Sequence, residues 1–208
     1  VSMLVGSTYA WFTDTATTGV NKILAGNLDV KLMYSTDMQT WKEATEQTKL
    51  FDDNALWEPG YTQVVYLKVV NAGNLALKYE TGFSKNYTSN KGKNVNGDWF
   101  RVDHYLKIGT VETEEAFGSR EAVWAAIADS EKTLAKDVML TNGWITLKAK
   151  EESKPFAVAI YMPTSVGNEA NSSKNRPSKV SGLGIEVRAT QATVENDSFG
   201  NHYDANAA

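Results

Sequence analysis

The run Val64-Val65-Tyr66-Leu67-Lys68-Val69-Val70-Asn71-Ala72-Gly73-Asn74-Leu75-Ala76-Leu77-Lys78-Tyr79-Glu80-Thr81-Gly82-Phe83 decides the fold class of this chain. Val65, Leu67 and Val69 alternate with Val64, Tyr66, Lys68 and Val70, a period of two that sends successive side chains to opposite faces of a strand. Both faces are mostly apolar, which places the strand in the middle of a sheet. Asn71-Ala72-Gly73-Asn74 is a turn signal. Beyond it Leu75, Leu77, Tyr79, Thr81 and Phe83 oppose Ala76, Lys78 and Glu80, so the two runs are expected to pair as an antiparallel hairpin.

Toward the N-terminus the same alternation recurs, with Leu28, Val30, Leu32 and Tyr34 on one face. A turn signal at Gly26-Asn27 precedes it. Residues 34–54 read as a long connection around Trp41 with room for a short hairpin, closed by the Trp57-Glu58-Pro59-Gly60 turn.

Toward the C-terminus, residues 84–97 are rich in Asn, Ser, Lys and Gly and read as an exposed loop. Phe100, Val102, His104, Leu106 and Ile108 then share one strand face. A helix is expected near 119–136: Ser119 can cap it, Glu121 suits its first turn, and Val123, Trp124, Ile127 and Leu134 recur at helical spacing. Strands follow over 144–150 and 156–162, then a polar, mobile loop over 164–181. A last alternation carries Ile185, Val187 and Ala189.

About seven alternating strands with Gly/Asn turns and one inserted helix specify an all-β protein, an antiparallel β-sandwich of the jelly-roll or immunoglobulin-like kind. The sandwich is expected over 28–195 as one domain, with a turn-rich C-terminal tail over 196–208. With 208 residues, 42% hydrophobic and 22% charged, the composition is that of a soluble globular chain. A net charge of -4 argues against nucleic acid as a partner. The absence of Cys rules out disulfides and thiolate metal sites.

Motifs for catalysis are sparse. There is no His-Glu-x-x-His pattern and no Gly-x-Ser-x-Gly elbow. Of the two histidines, His104 is expected as a hydrogen-bonded core residue and His202 as a solvated tail residue. Glu112, Glu114 and Glu115 form a solvated acidic face that could bind a hard cation weakly. Trp57, Trp99 and Trp144 at strand edges read as amphipathic anchors, with a carbohydrate platform as the competing idea. No catalytic residue, metal ligand or cofactor is assigned.

The opening stretch Val5-Gly6-Ser7-Thr8-Tyr9-Ala10-Trp11-Phe12-Thr13-Asp14 joins an apolar run and small residues to a pair of aromatics. This is the chemistry of a secretory signal peptide ending at a cleavage site between Ala10 and Trp11. An ordinary buried first strand is the competing reading. On the first, residues 1–10 are the end of the signal peptide and 11–27 an N-terminal arm. No later apolar run approaches the roughly 20 residues needed to span a bilayer, so no integral membrane segment is expected after cleavage.

Gly6-Ser7-Thr8-Tyr9-Ala10-Trp11-Phe12-Thr13-Asp14, Ala25-Gly26-Asn27-Leu28-Asp29-Val30, Trp57-Glu58-Pro59-Gly60 and Val69-Val70-Asn71-Ala72-Gly73-Asn74-Leu75 together resemble the TasA/camelysin family of Gram-positive bacteria. The resemblance covers mainly the first 80 residues. It implies a jelly-roll sandwich, release by the signal peptidase SipW, and a secreted subunit of extracellular biofilm-matrix fibres. In such fibres the N-terminal segment of one subunit is donated as a strand to the next, so Trp11, Phe12, Thr13 and Asp14 would begin the donor arm. The implied partners are the chain itself, SipW and other matrix proteins. Camelysin relatives imply an alternative, a cell-surface metalloendopeptidase.

Overall fold

The computed structural model describes residues 21–25, 28–84 and 86–192. The first strands are β1 (Lys22–Leu24), β2 (Val30–Ser35), β3 (Lys42–Glu43), β4 (Thr62–Asn71) and β5 (Leu77–Phe83). Three two-residue strands follow, β6 (Thr88–Ser89), β7 (Gly92–Lys93) and β8 (Trp99–Phe100), then a 3₁₀ turn at Val102–Tyr105. Next come β9 (Lys107–Glu112), the helix α1 (Arg120–Ile127) and β10 (Lys132–Thr133). The chain continues through β11 (Ile145–Leu147), β12 (Phe156–Tyr161), β13 (Val180–Ser181) and β14 (Ile185–Gln191).

Two sheets face each other. The smaller has the order β1-β14-β5-β11 and the larger β10-β9-β12-β4-β2-β3. Every pairing within them is antiparallel except β1 with β14, which is parallel. The chain crosses repeatedly between sheets, and its first and last described strands are neighbours. The architecture is therefore an all-β antiparallel sandwich wound in the jelly-roll manner, with one α-helix among the described residues.

Alternation fills the space between the layers. Leu32, Val65, Leu67, Val69, Val158 and Ile160 point inward from the larger sheet, and Leu77, Tyr79, Phe83, Ile185 and Val187 from the smaller. β4 lies between β12 and β2, as its two apolar faces require. β2 and β3 form the short hairpin allowed for in the 34–54 connection.

β12 is buried on both faces because α1 lies across the outside of the larger sheet. Val123 and Ile127 of the helix pack on Ala159 and Tyr161, with Val64, Val111, Phe117 and Trp124 around them. Each such fully buried aliphatic side chain stabilises the contact by roughly 1.5–3 kcal/mol. Trp124 donates its indole N–H to Thr62 Oγ1 at 3.0 Å and stacks on Tyr161, ring centroids 5.3 Å apart. Gly109 of β9 lets the helix come this close: a Cβ there would stand 2.8 Å from the Cβ of Ile127.

Four expectations are corrected. β4 and β5 do not form a hairpin; they belong to opposite sheets, and residues 72–76 turn the corner between them. The agent is Asn71, only 1% exposed, whose amide donates to the carbonyls of Leu75 (2.8 Å) and Lys148 (2.9 Å) while its Oδ1 accepts from Gly73 N (3.1 Å).

The helix is also shorter than 119–136. Ser119 caps it as expected, accepting from Ala122 N at 3.2 Å. After Ile127 the chain tightens into a 3₁₀ turn at Ala128–Ser130, where the Ser130 hydroxyl donates to Thr110 O and accepts from Thr110 N. Those bonds stitch the chain to β9, so Lys132 and Thr133 become an edge strand and Leu134 reaches the main core from there.

The run 100–108 is not one strand. It breaks at Val102–Tyr105 because the side chain turned inward is Asp103, while His104 is exposed. Finally, 84–97 and 164–181 are not independent loops. They zip together: β6 pairs with β13, and Asn94 bridges to Ser172.

Candidate functional site

The region singled out by sequence is the start of the chain. The cleavage pair Ala10 and Trp11 and the arm residues Trp11, Phe12, Thr13 and Asp14 lie outside the described residues. The described chain opens at an anchor. Asn21 is 2% exposed and donates to Thr45 O at 2.9 Å and Thr48 O at 2.7 Å, while its Oδ1 accepts from Ile185 N at 3.1 Å. One amide thus ties the 45–48 loop, the first strand and the start of β14 together. Three satisfied bonds make a buried Asn a strong constraint, since a buried amide left unpaired costs about 1–3 kcal/mol.

Within 11–27, the N-terminal arm and candidate donor strand, Lys22–Leu24 lies in the chain's own smaller sheet, in register with Glu186–Arg188. Ile23 and Ala25 pack against the core.

The other edge of the smaller sheet is β11, three residues long against the seven of β5. Residues 138–141 cover the remainder of β5, with Phe83 N bonded to Val138 O and Leu140 N to Thr81 O. Trp144 (47% exposed) and Ile145 (38%) stand out from this edge, and the Lys78 ammonium lies over the Trp144 ring.

Outside the sheet, a shallow cleft is lined by Glu80, Gly82, Phe83, Asp137, Met139, Glu186 and Arg188. The guanidinium of Arg188 reaches Glu186 at 2.8 Å and Glu80 at 3.3 Å, so the acidic pair is partly neutralised there. Among the described residues, no group of three or more His, Asp or Glu side chains is arranged to hold a metal ion. Glu112 pairs with Lys154 at 3.5 Å, and Glu114 and Glu115 are exposed. Nor is any helix among them long and apolar enough to cross a membrane.

Sequence reasoning missed Asp103 and misjudged its neighbour. Asp103 is 3% exposed and accepts from the Ser89 hydroxyl at 2.6 Å and from Arg101 at 3.2 Å. Burial works against its charge, but the Ser89 hydroxyl and the Arg101 guanidinium outweigh it and hold the carboxyl below the ordinary carboxylate range. Trp57 meets the Tyr61 ring edge-on at 5.3 Å and serves as an anchor, whereas Trp99 stands 57% exposed.

No family model matches this chain. No curated protein matches it either. Among solved structures it is similar to the ASH / PapD-like domain of human CEP192 (PapD-like domain 7), at 12% identity, over 95% of this chain and 97% of that one, with a TM-score of 0.25. A likeness at that TM-score carries no argument about this chain.

Proposed function

We propose that this chain is a secreted structural subunit, cut between Ala10 and Trp11 by a SipW-type signal peptidase. It polymerises head to tail by donating its N-terminal segment, in the manner of the biofilm-matrix fibre proteins it resembles. One observation carries the reading: the junction motif Gly6 to Asp14 stands ahead of Asn21, the anchor at which the described two-sheet core begins. The residues between cleavage site and anchor, 11–20, precede that core in the sequence. Fully extended, ten residues reach about 33 Å, enough to run the length of a sheet edge.

Strand addition supplies main-chain hydrogen bonds and pockets for alternate side chains. The β11 edge, with Trp144 and Ile145 exposed, offers apolar contact to such a strand. A head-to-tail contact that does not close propagates as a filament. The subunit acts outside the cell, in the matrix or at the surface, with other matrix proteins as further partners.

The test is negative-stain electron microscopy of protein beginning at Trp11 beside protein lacking residues 11–18. Filaments from the first and monomers from the second are expected. Equal filament yield from both sinks the proposal, and casein hydrolysis by the pure protein, abolished by chelation, would point to the endopeptidase instead.

A further inference from the structure

The two segments expected as loops build a surface of their own. Residues 88–100 and 171–181 are laced together by Lys93 N to Arg176 O (2.8 Å), Ser173 N to Lys93 O (2.8 Å), Val95 N to Asn171 O (2.9 Å) and Asn90 N to Lys179 O (3.1 Å). The approach is so close at Gly92 that a Cβ there would meet Ser178 N at 2.1 Å. The side chain of Asn90 closes the other end, donating to Pro177 O and accepting from Lys179 N. The ribbon is therefore held in one shape before anything binds to it.

Its charge is unlike that of the rest of the molecule. Lys91, Lys93, Lys174, Arg176 and Lys179 stand against a single acid, Asp98, which gives the ribbon +4 and leaves -8 for the remainder of a chain whose total is -4. Among the described residues none of the five cations lies within ion-pair distance of a carboxylate. Lys91, Lys174, Arg176 and Lys179 are exposed. Cations gathered on one ribbon without a described carboxylate beside them create a local positive potential that attracts an anion.

Trp99 stands on this ribbon, with the Lys93 ammonium 5.2 Å and the Arg176 guanidinium 5.7 Å from its ring. An indole left 57% exposed beside two cations is a contact site for a ligand that has both apolar faces and negative charge. Exposed amides of Asn96, Asn171 and Asn175 add neutral donors and acceptors on the same ribbon.

We propose that this ribbon binds an acidic polysaccharide. A sugar ring packs on indole, its hydroxyls suit the amides, and carboxylates spaced along the chain suit a few separated cations. Nucleic acid fits less well: duplex DNA carries a charge every 1.7 Å or so along its axis, and a strongly acidic remainder repels so dense a polyanion. This binding does not depend on polymerisation.

The experiment is affinity electrophoresis of the chain beginning at Trp11, lacking residues 11–18 if filaments obscure migration, through gels containing polygalacturonate, neutral dextran or oligothymidylate. Retardation by polygalacturonate alone, weakening as salt rises, is expected. The Lys93→Gln/Arg176→Gln double variant and Trp99→Ala should each weaken it about five- to tenfold, the sum of two exposed charge contacts or one exposed ring contact. Lys31→Gln, in β2 of the larger sheet and paired with Glu43, should leave it unchanged. Should a ribbon variant melt early, Lys91→Gln/Lys174→Gln, altering only exposed side chains, takes its place. Equal migration in polygalacturonate and dextran, stronger retention by oligothymidylate, or unchanged retardation of the ribbon variants would each overturn the proposal.

Discussion

The side-chain nitrogen of Asn71 lies 2.8 Å from the carbonyl oxygen of Leu75, a bond that spans the corner where the chain leaves one sheet for the other. The same amide reaches Lys148 O at 2.9 Å, so the corner is fastened to the segment after β11 as well. Asn71→Ala strips the buried corner side chain of these bonds and leaves partly buried carbonyls without them. It should cost about 2–3 kcal/mol in urea unfolding, and Asn71→Asp, which has no amide donor, should not rescue it.

Thr81 gives the opposite sign. It is fully buried on β5, and its hydroxyl is the buried side-chain oxygen that finds no partner among the described residues. Thr81→Val replaces that oxygen by a methyl of similar size and should stabilise the protein by about 0.5–1.5 kcal/mol. A lower urea midpoint for the variant would refute this account.

Two glycines test how far the packing can yield. At Gly109 an added Cβ meets the side chain of Ile127, and the helix can lift to make room. Gly109→Ala should then cost about 1–3 kcal/mol, with a change in Trp124 fluorescence as the helix shifts. At Gly92 the obstacle is backbone, Ser178 N and Pro177 C, which has nowhere to go. Gly92→Ala should therefore lower the melting temperature more than Gly109→Ala.

Asp103 sets an acid limit. Its native pKa lies below the ordinary 3.8, so its stabilisation is complete above that value and is lost as the pH falls through the native pKa. Melting temperature followed between about pH 2 and 6 should drop at the acid end. Asp103→Asn should flatten that drop while lowering stability at neutral pH, since Arg101 then loses its carboxylate.

Much of the architecture was legible in the pattern of side chains. Val65, Leu67 and Val69 face the core as their alternation requires, and Ser119 caps the helix that its position announces. What the pattern lacks is the direction of a turn. Asn71-Ala72-Gly73-Asn74 signals a reversal equally well within a sheet and between sheets, and the deciding bonds run to Lys148, a residue 77 positions away. The ribbon was hidden for a related reason: it is joined by backbone and amide hydrogen bonds, which leave no hydrophobic period to read. Asp103 escaped notice because period two runs through His104, and only a 3₁₀ turn exchanges their places.

The parallel register of β1 on β14 fixes where the molecule points. Asn21 sits beside Ile185 at the beginning of β14 and Ala192 follows its end, so entry and exit lie about 23 Å apart at opposite poles. A fluorophore on Gln191 therefore stands a full strand length from Asn21, and the two ends of this one strand are marked by different residues.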